Sequence, residues 1–143
     1  MTHAFQIAVD CVDPHRLAAF WAEALGYEVE DHHDVVEAML AAGYARADED
    51  ALEIDGRLAW RTAAACKDPA GSAPRLLFQQ VPEPKTVKNR LHLDVDVGAD
   101  ACEAEVARLE ALGARRLWEG QQGPHSGVTL ADPEGTGVLR RVR

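Results

Sequence analysis

The feature that most restricts what this chain can fold into is that it repeats its own punctuation. Residues 4–12, AFQIAVDCV, alternate as a strand does. Asp13-Pro14 follows. An aspartate there accepts hydrogen bonds from the N–H groups of a first helical turn, and proline fits the first helical position. Leu17, Phe20, Trp21, Ala24 and Leu25 recur at helical spacing, and Gly26 supplies a left-handed stop. The same order returns at residues 90–97, RLHLDVDV, which read as a strand with Leu91, Leu93, Val95 and Val97 on one face. A polar break at Gly98 and Asp100 follows, then Val106, Leu109 and Leu112 as the buried stripe of a second helix ending at Gly113. Both helices close on the same tripeptide, Ala24-Leu25-Gly26 and Ala111-Leu112-Gly113. They are expected at about 14–25 and 100–112.

A second echo lies further along each half. Asp68-Pro69-Ala70-Gly71 precedes the apolar run Leu76-Leu77-Phe78, and Asp132-Pro133-Glu134-Gly135 precedes Val138-Leu139. Asp-Pro-x-Gly is a tight-turn signal between antiparallel strands. Two matches in the same order make duplication the better explanation. Each half reads as strand, helix, then several strands, with modules at about 1–82 and 88–143. The first half carries an extra stretch, about 34–56. Val35, Val36, Met39 and Leu40 predict a short helix there, and Asp48-Glu49-Asp50 a polar loop. Ala51–Asp55 fits a helix or a strand equally well.

Composition narrows the function classes. Apolar residues make up 47% of the 143, enough for a full core in one domain. The net charge of −9 disfavours a phosphate backbone as partner, so no nucleic acid is expected. The three cysteines, Cys11, Cys66 and Cys102, are far apart and form no CxxC pair, which argues against a disulfide framework and a cysteine zinc site. No apolar run spans a bilayer, and the N-terminus lacks the order of a signal peptide, so a cytoplasmic protein with no membrane partner is expected. Gly-x-Ser-x-Gly, a phosphate-binding glycine loop and the dinucleotide fingerprint are all absent from the sequence.

The central run Val81-Pro82-Glu83-Pro84-Lys85-Thr86-Val87-Lys88-Asn89-Arg90-Leu91-His92-Leu93-Asp94, together with Asp132-Pro133-Glu134-Gly135, resembles the glyoxalase-like domain proteins of the vicinal-oxygen-chelate superfamily. That superfamily includes glyoxalase I, extradiol dioxygenases and the fosfomycin- and bleomycin-resistance proteins. The resemblance covers nearly the whole chain. It implies an α+β fold of two βαβββ modules with curled, antiparallel-rich sheets enclosing a cavity. In enzymatic members four side chains from the first and last strands of the modules hold a divalent metal.

Carried over by the resemblance, the first-strand ligand positions fall at Gln6 and His92. The last-strand position of the second module, seven residues after the turn aspartate, is Leu139, where a glutamate is usual. Its counterpart in the first module falls near Phe78 or Gln79. Neutral donors without a carboxylate hold a divalent ion weakly, so no metal cofactor is expected and Gln6 and His92 read as remnants of a metal site. His92 and Gln6 are instead expected to anchor a small-molecule ligand, with Trp60, Trp118 and Phe78 as walls; each also has a bland reading as a strand, core or interface residue. Trp21, on the helical stripe, reads as core. His32, His33 and His125 read as surface residues, the last in a loop over the cavity mouth.

Three functions stay open: a glyoxalase-like small-molecule-binding protein, a metal-dependent lyase, isomerase or dioxygenase, and a sequestering resistance protein. A purely structural module is a fourth. The resemblance allows a monomer or a homodimer.

Overall fold

The computed structural model describes residues 1–98, 100–135 and 137–142, the last stretch by its backbone path and pairing. The chain divides into two compact units, Met1–Pro82 and Glu83–Arg143. Among the described residues no helix is long and apolar enough to cross a membrane.

The first unit runs β1 (Gln6–Cys11), α1 (Pro14–Leu25), β2 (Glu28–Val29), α2 (His33–Ala41), β3 (Ala51–Ile54), β4 (Arg57–Trp60), β5 (Ala63–Lys67) and β6 (Arg75–Gln80). The second runs β7 (Leu93–Asp96), α3 (Cys102–Ala111), β8 (Arg115–Gln122), β9 (His125–Ala131) and β10 (Gly137–Val142). The sheets have strand orders β1-β6-β5-β2 and β7-β10-β9-β8. Both therefore place the strands of a unit as first, last, third, second. In each, the first strand pairs parallel with the last, and the other pairs are antiparallel. This is the expected pair of βαβββ modules.

Local chemistry sets the boundaries. An Asp13 carboxylate oxygen accepts from the Arg16 N–H at 3.0 Å, Pro14 opens α1, and Gly26 at φ 69° ends it. In the two Asp-Pro-x-Gly turns, Gly71 N–H donates to the Asp68 carbonyl at 2.9 Å and Gly135 N–H to that of Asp132 at 3.0 Å. Ala51–Ile54, undecided from sequence, is a strand. It pairs with β4 across Asp55 (φ 51°) and Gly56 (φ 76°), a two-residue hairpin with both φ positive.

Some expected boundaries shift. The strand expected at 90–97 is ordered as a ladder only over Leu93–Asp96, so Leu91 and His92 precede it. Leu112 caps α3 and is exposed rather than buried, because the helix ends at Ala111. His125 begins β9, directly opposite Gln122 across a Gly123-Pro124 turn. That tight hairpin replaces the expected loop.

α1 packs against β5, β6 and β2. Leu17, Trp21, Phe78 and Val36 are essentially inaccessible, and Phe20 meets Trp21 edge to face at 5.8 Å. Full burial of a side chain such as Leu17 contributes about 1.5–3 kcal/mol. Among the described residues, the second unit's core is built on Val106, Leu109, Val128 and Leu130.

Candidate functional site

Strand parity divides the first sheet into two faces. Leu76 and Phe78 in β6 and Ala64 and Cys66 in β5 are buried on one. Gln6, Ala8 and Asp10 in β1 point to the other, with Arg75 and Gln79 beside Gln6 and Asp10 in β6. Apart from Ala65, which is buried opposite Leu77, the residues of this second face in β1, β5 and β6 are exposed or half-exposed, and the face carries the polar chemistry of the unit.

At one end of it lies Arg75, the first residue of β6. Its Nε donates to the Glu30 carboxylate at 2.9 and 3.0 Å, and its Nη2 donates to the same group at 2.6 Å. Its Nη1 donates to Gln6 Oε1 at 2.8 Å. His32 Nε2 stands 3.0 Å from Glu30 Oε2. Glu30 and His32 are mostly buried, at 16% and 19% side-chain exposure, while Arg75 keeps 33%. The bond from Arg75 holds the Glu30 carboxyl below the ordinary carboxylate range, against a smaller opposing push from burial. The same bond raises the Arg75 guanidinium, which stays charged.

The expected ligand residues fare differently. Gln6 opens β1 and His92 lies one residue ahead of β7; in each unit the residue two further along, Ala8 or Asp94, pairs with a leucine of the last strand, Leu77 or Leu139. The same registers correct the last-strand position of the first module. Leu77, not Phe78 or Gln79, matches Leu139: Ala65 faces Leu77 as Thr129 faces Leu139. The side chain of Leu139 lies outside the described residues. His92 is exposed just ahead of β7. Trp60 ends the β3–β4 hairpin, half-buried, and its carbonyl is 2.7 Å from His15 Nε2. Trp118 is 50% exposed in β8, beside an irregularity in the ladder at Leu117. Phe78 is a correction: at 0% exposure on the buried face, it is core and not a wall for ligand.

The histidine pair is also less superficial than expected. His32 supports Glu30, and His33 Nδ1 accepts the Leu58 N–H at 2.9 Å, tying α2 to the hairpin. The residues that sequence reasoning missed are Glu30 and Arg75. Their one legible signal was Arg75 opening the strand after the first Asp-Pro-x-Gly turn. Nothing local paired it with Glu30, 45 residues away.

The second unit has a separate open concavity of about 470 Å³ between the start of α3 and strands β8–β9, lined by Cys102, Glu103, Glu119, Gln121, Ser126 and Val128. Its acids are not a ready cation site, since Arg116 bridges Glu103 at 3.1 Å and Glu119 at 2.7 Å. Among the described residues no three His, Cys, Asp or Glu side chains converge as a metal-binding group.

The three thiols are free and buried. Burial, with Glu30 nearby, pushes Cys66 up to about 12. Native protein at pH 8 is therefore expected to alkylate at Cys66 at least about 100-fold more slowly than urea-unfolded protein. Mass spectrometry of timed labelling checks this, and equal rates would contradict it.

Comparison with known proteins agrees with this architecture. A family model described as a glyoxalase-like domain matches residues 6–138. No curated protein sequence matches the chain. Among solved structures, a hypothetical protein from S. aureus superposes with a TM-score of 0.64 at 11% identity, covering 100% of this chain and 95% of that one. A glyoxalase/bleomycin resistance protein/dioxygenase family enzyme from Burkholderia phytofirmans PsJN gives 0.63 at 13% identity, covering 96% and 95%. The fosfomycin resistance protein FosX from Listeria monocytogenes gives 0.63 at 12%, covering 100% and 94%. At such identities the likeness is one of fold.

Proposed function

The chain belongs to the glyoxalase-like domain family, and from that premise we propose that it binds a compact organic molecule and does so without a divalent metal. The observation that carries this reading is the pairing register. It puts a leucine, Leu77 or Leu139, at the last-strand position of each module, where the resemblance implies an acidic metal ligand. The first-strand positions hold two neutral side chains, Gln6 and His92. The oxygen of Gln6 already accepts from a guanidinium. A divalent ion at that oxygen would lie beside Arg75 with no carboxylate from the four positions to offset its charge. The residues present do not fit the metal.

What the residues do fit is hydrogen bonding to a ligand on the exposed face of the first sheet, with Gln6 as one anchor. His92, at the matching position of the second module, is the corresponding candidate anchor within its own unit. Holding a small molecule without transforming it, as sequestration requires, needs nothing more. The free thiols suit a reducing compartment.

Thermal-shift screening of metabolites and antibiotics, followed by isothermal titration of the hits, tests the reading. Gln6→Ala and His92→Ala are each expected to weaken binding by about 1–3 kcal/mol with little loss of fold. Unchanged affinity in both variants would remove them as anchors. Elemental analysis of protein purified without chelator is expected to find no stoichiometric Zn, Ni, Mn or Fe after dialysis. Retained metal near one equivalent would overturn the metal-free reading.

A further inference from the structure

We propose that the ligand face of the first sheet is an oxyanion site, with Gln6 and Arg75 acting together as a cradle of hydrogen-bond donors for a small carboxylate or phosphonate. This rests on the reading of that face as a small-molecule site and names the class of molecule it takes. A glutamine amide offers one acceptor and one two-hydrogen donor, and the hydrogen-bond partner decides which way each points. Here Gln6 Oε1 accepts from Arg75 Nη1 at 2.8 Å. A guanidinium has no acceptor, so the amide cannot flip without setting donor against donor. The oxygen is turned inward to the arginine, and the nitrogen is left as the group on offer. Among the described residues, none accepts from that nitrogen.

Arg75 is fixed from the other side. Glu30 takes Nε and one hydrogen of Nη2, and Gln6 takes one hydrogen of Nη1. Of the five guanidinium N–H groups three are used. One remains on each terminal nitrogen, on a side chain that keeps 33% exposure while its counter-ion Glu30 keeps 16%. The second hydrogens of Nη1 and Nη2 and the two amide hydrogens of Gln6 are thus the donors on offer, beside a Glu30 carboxylate already engaged by Arg75. Unused donors next to a carboxylate that is already paired favour an oxyanion over a cation. Asp10 shares the face but sits four residues along β1. At about 3.3 Å per residue that is roughly 13 Å, beyond a Debye length of about 8–10 Å at ordinary ionic strength. Ala8, beside Gln6 on the same face, is small enough to leave room for the ligand body.

The test uses full-length ¹⁵N-labelled protein and two probes, oxalate and methylphosphonate. Each is titrated at constant ionic strength against chloride and ethylammonium, reading the side-chain N–H resonances of Gln6 and Arg75. Saturable shifts with either anion and none with ethylammonium are expected; the stronger probe tells carboxylate from phosphonate. Gln6→Glu keeps the size but replaces the donor with an acceptor that engages the spare arginine hydrogens. It is expected to raise the dissociation constant at least tenfold with an unchanged melting temperature. Gln6→Asn is the milder companion variant, expected to lose less. Unchanged affinity in Gln6→Glu, or saturation by ethylammonium, would overturn the proposal. A neutral hit from the screen that shifts these resonances when neither anion does would overturn it too, and would leave small-molecule binding intact. Silence of both side chains towards every compound would overturn both.

Discussion

Replacing Phe78 with alanine is expected to cost about 3–5 kcal/mol of stability, among the largest losses available to a single substitution in the first unit. The ring is wholly inaccessible, in a strand pressed against α1, with Ala64 opposite it in β5. Truncation removes its transfer free energy and leaves a cavity that rigid neighbouring strands cannot collapse into. The melting temperature should fall by roughly 10–20 °C. Trp118→Ala is the contrast. That ring is half exposed, so its loss is expected to change stability by only about 0.5 kcal/mol. Urea unfolding of the two variants measures the difference. A Phe78→Ala variant as stable as wild type would return Phe78 to the role of a cavity wall.

The second large effect is expected at Arg75. Arg75→Met strips the Glu30 carboxylate of its bidentate partner while leaving it mostly buried. Breaking a fully buried pair costs about 3–5 kcal/mol. Water reaches a third of Arg75, so a loss of about 2 kcal/mol is expected here. The loss should depend on pH with a definite sign. Glu30 is held below its ordinary value of 4.5, first by the hydrogen bond from Arg75 and then by His32. A depressed carboxyl contributes stability that is present above its unfolded value and lost as pH falls through the folded one. The gap between wild type and Arg75→Met should therefore be full at pH 7 and narrow progressively below about 4.5. The double variant Arg75→Met/Glu30→Gln should recover part of the loss, since it removes the stranded charge. A gap that stays constant down to pH 3 would show that the arginine acts through packing alone.

These two residues also mark where the sequence was legible and where it was not. Helix α1 and both Asp-Pro-x-Gly turns are written in local chemistry. An aspartate before a proline, or a glycine at the end of a helix, means the same thing wherever the chain goes afterwards. Phe78 was misplaced because Leu76-Leu77-Phe78 is an unbroken apolar run. Such a run does not say which alternate residues face the helix; the pairing of β6 with β1 and β5 decides that. Glu30 and Arg75 escaped notice for a related reason. Each is an ordinary charged residue in its own neighbourhood, and only the sheet, by setting β5 between β6 and β2, brings Arg75 within reach of Glu30. His92 was read as lying inside a strand because the alternation begins at Leu91, yet the ladder begins at Leu93.

Parallel pairing of the first and last strands obliges each unit to close a long loop before its sheet is complete. Gln6 meets Arg75 across 69 residues of chain, whereas about 45 separate Leu93 from Val138. The difference is largely the insertion holding α2 and the β3–β4 hairpin, and by the logarithm of loop length it adds only about 0.4 kcal/mol to closure. Evolution can thus lengthen the first unit at almost no thermodynamic cost. The kinetic cost is larger, because non-local strand pairing is slow. During synthesis β1 leaves the ribosome first and must wait, its edge unpaired, until β6 has been translated. Every strand of its sheet lies within Met1–Pro82, so that wait ends while the second half is still being made.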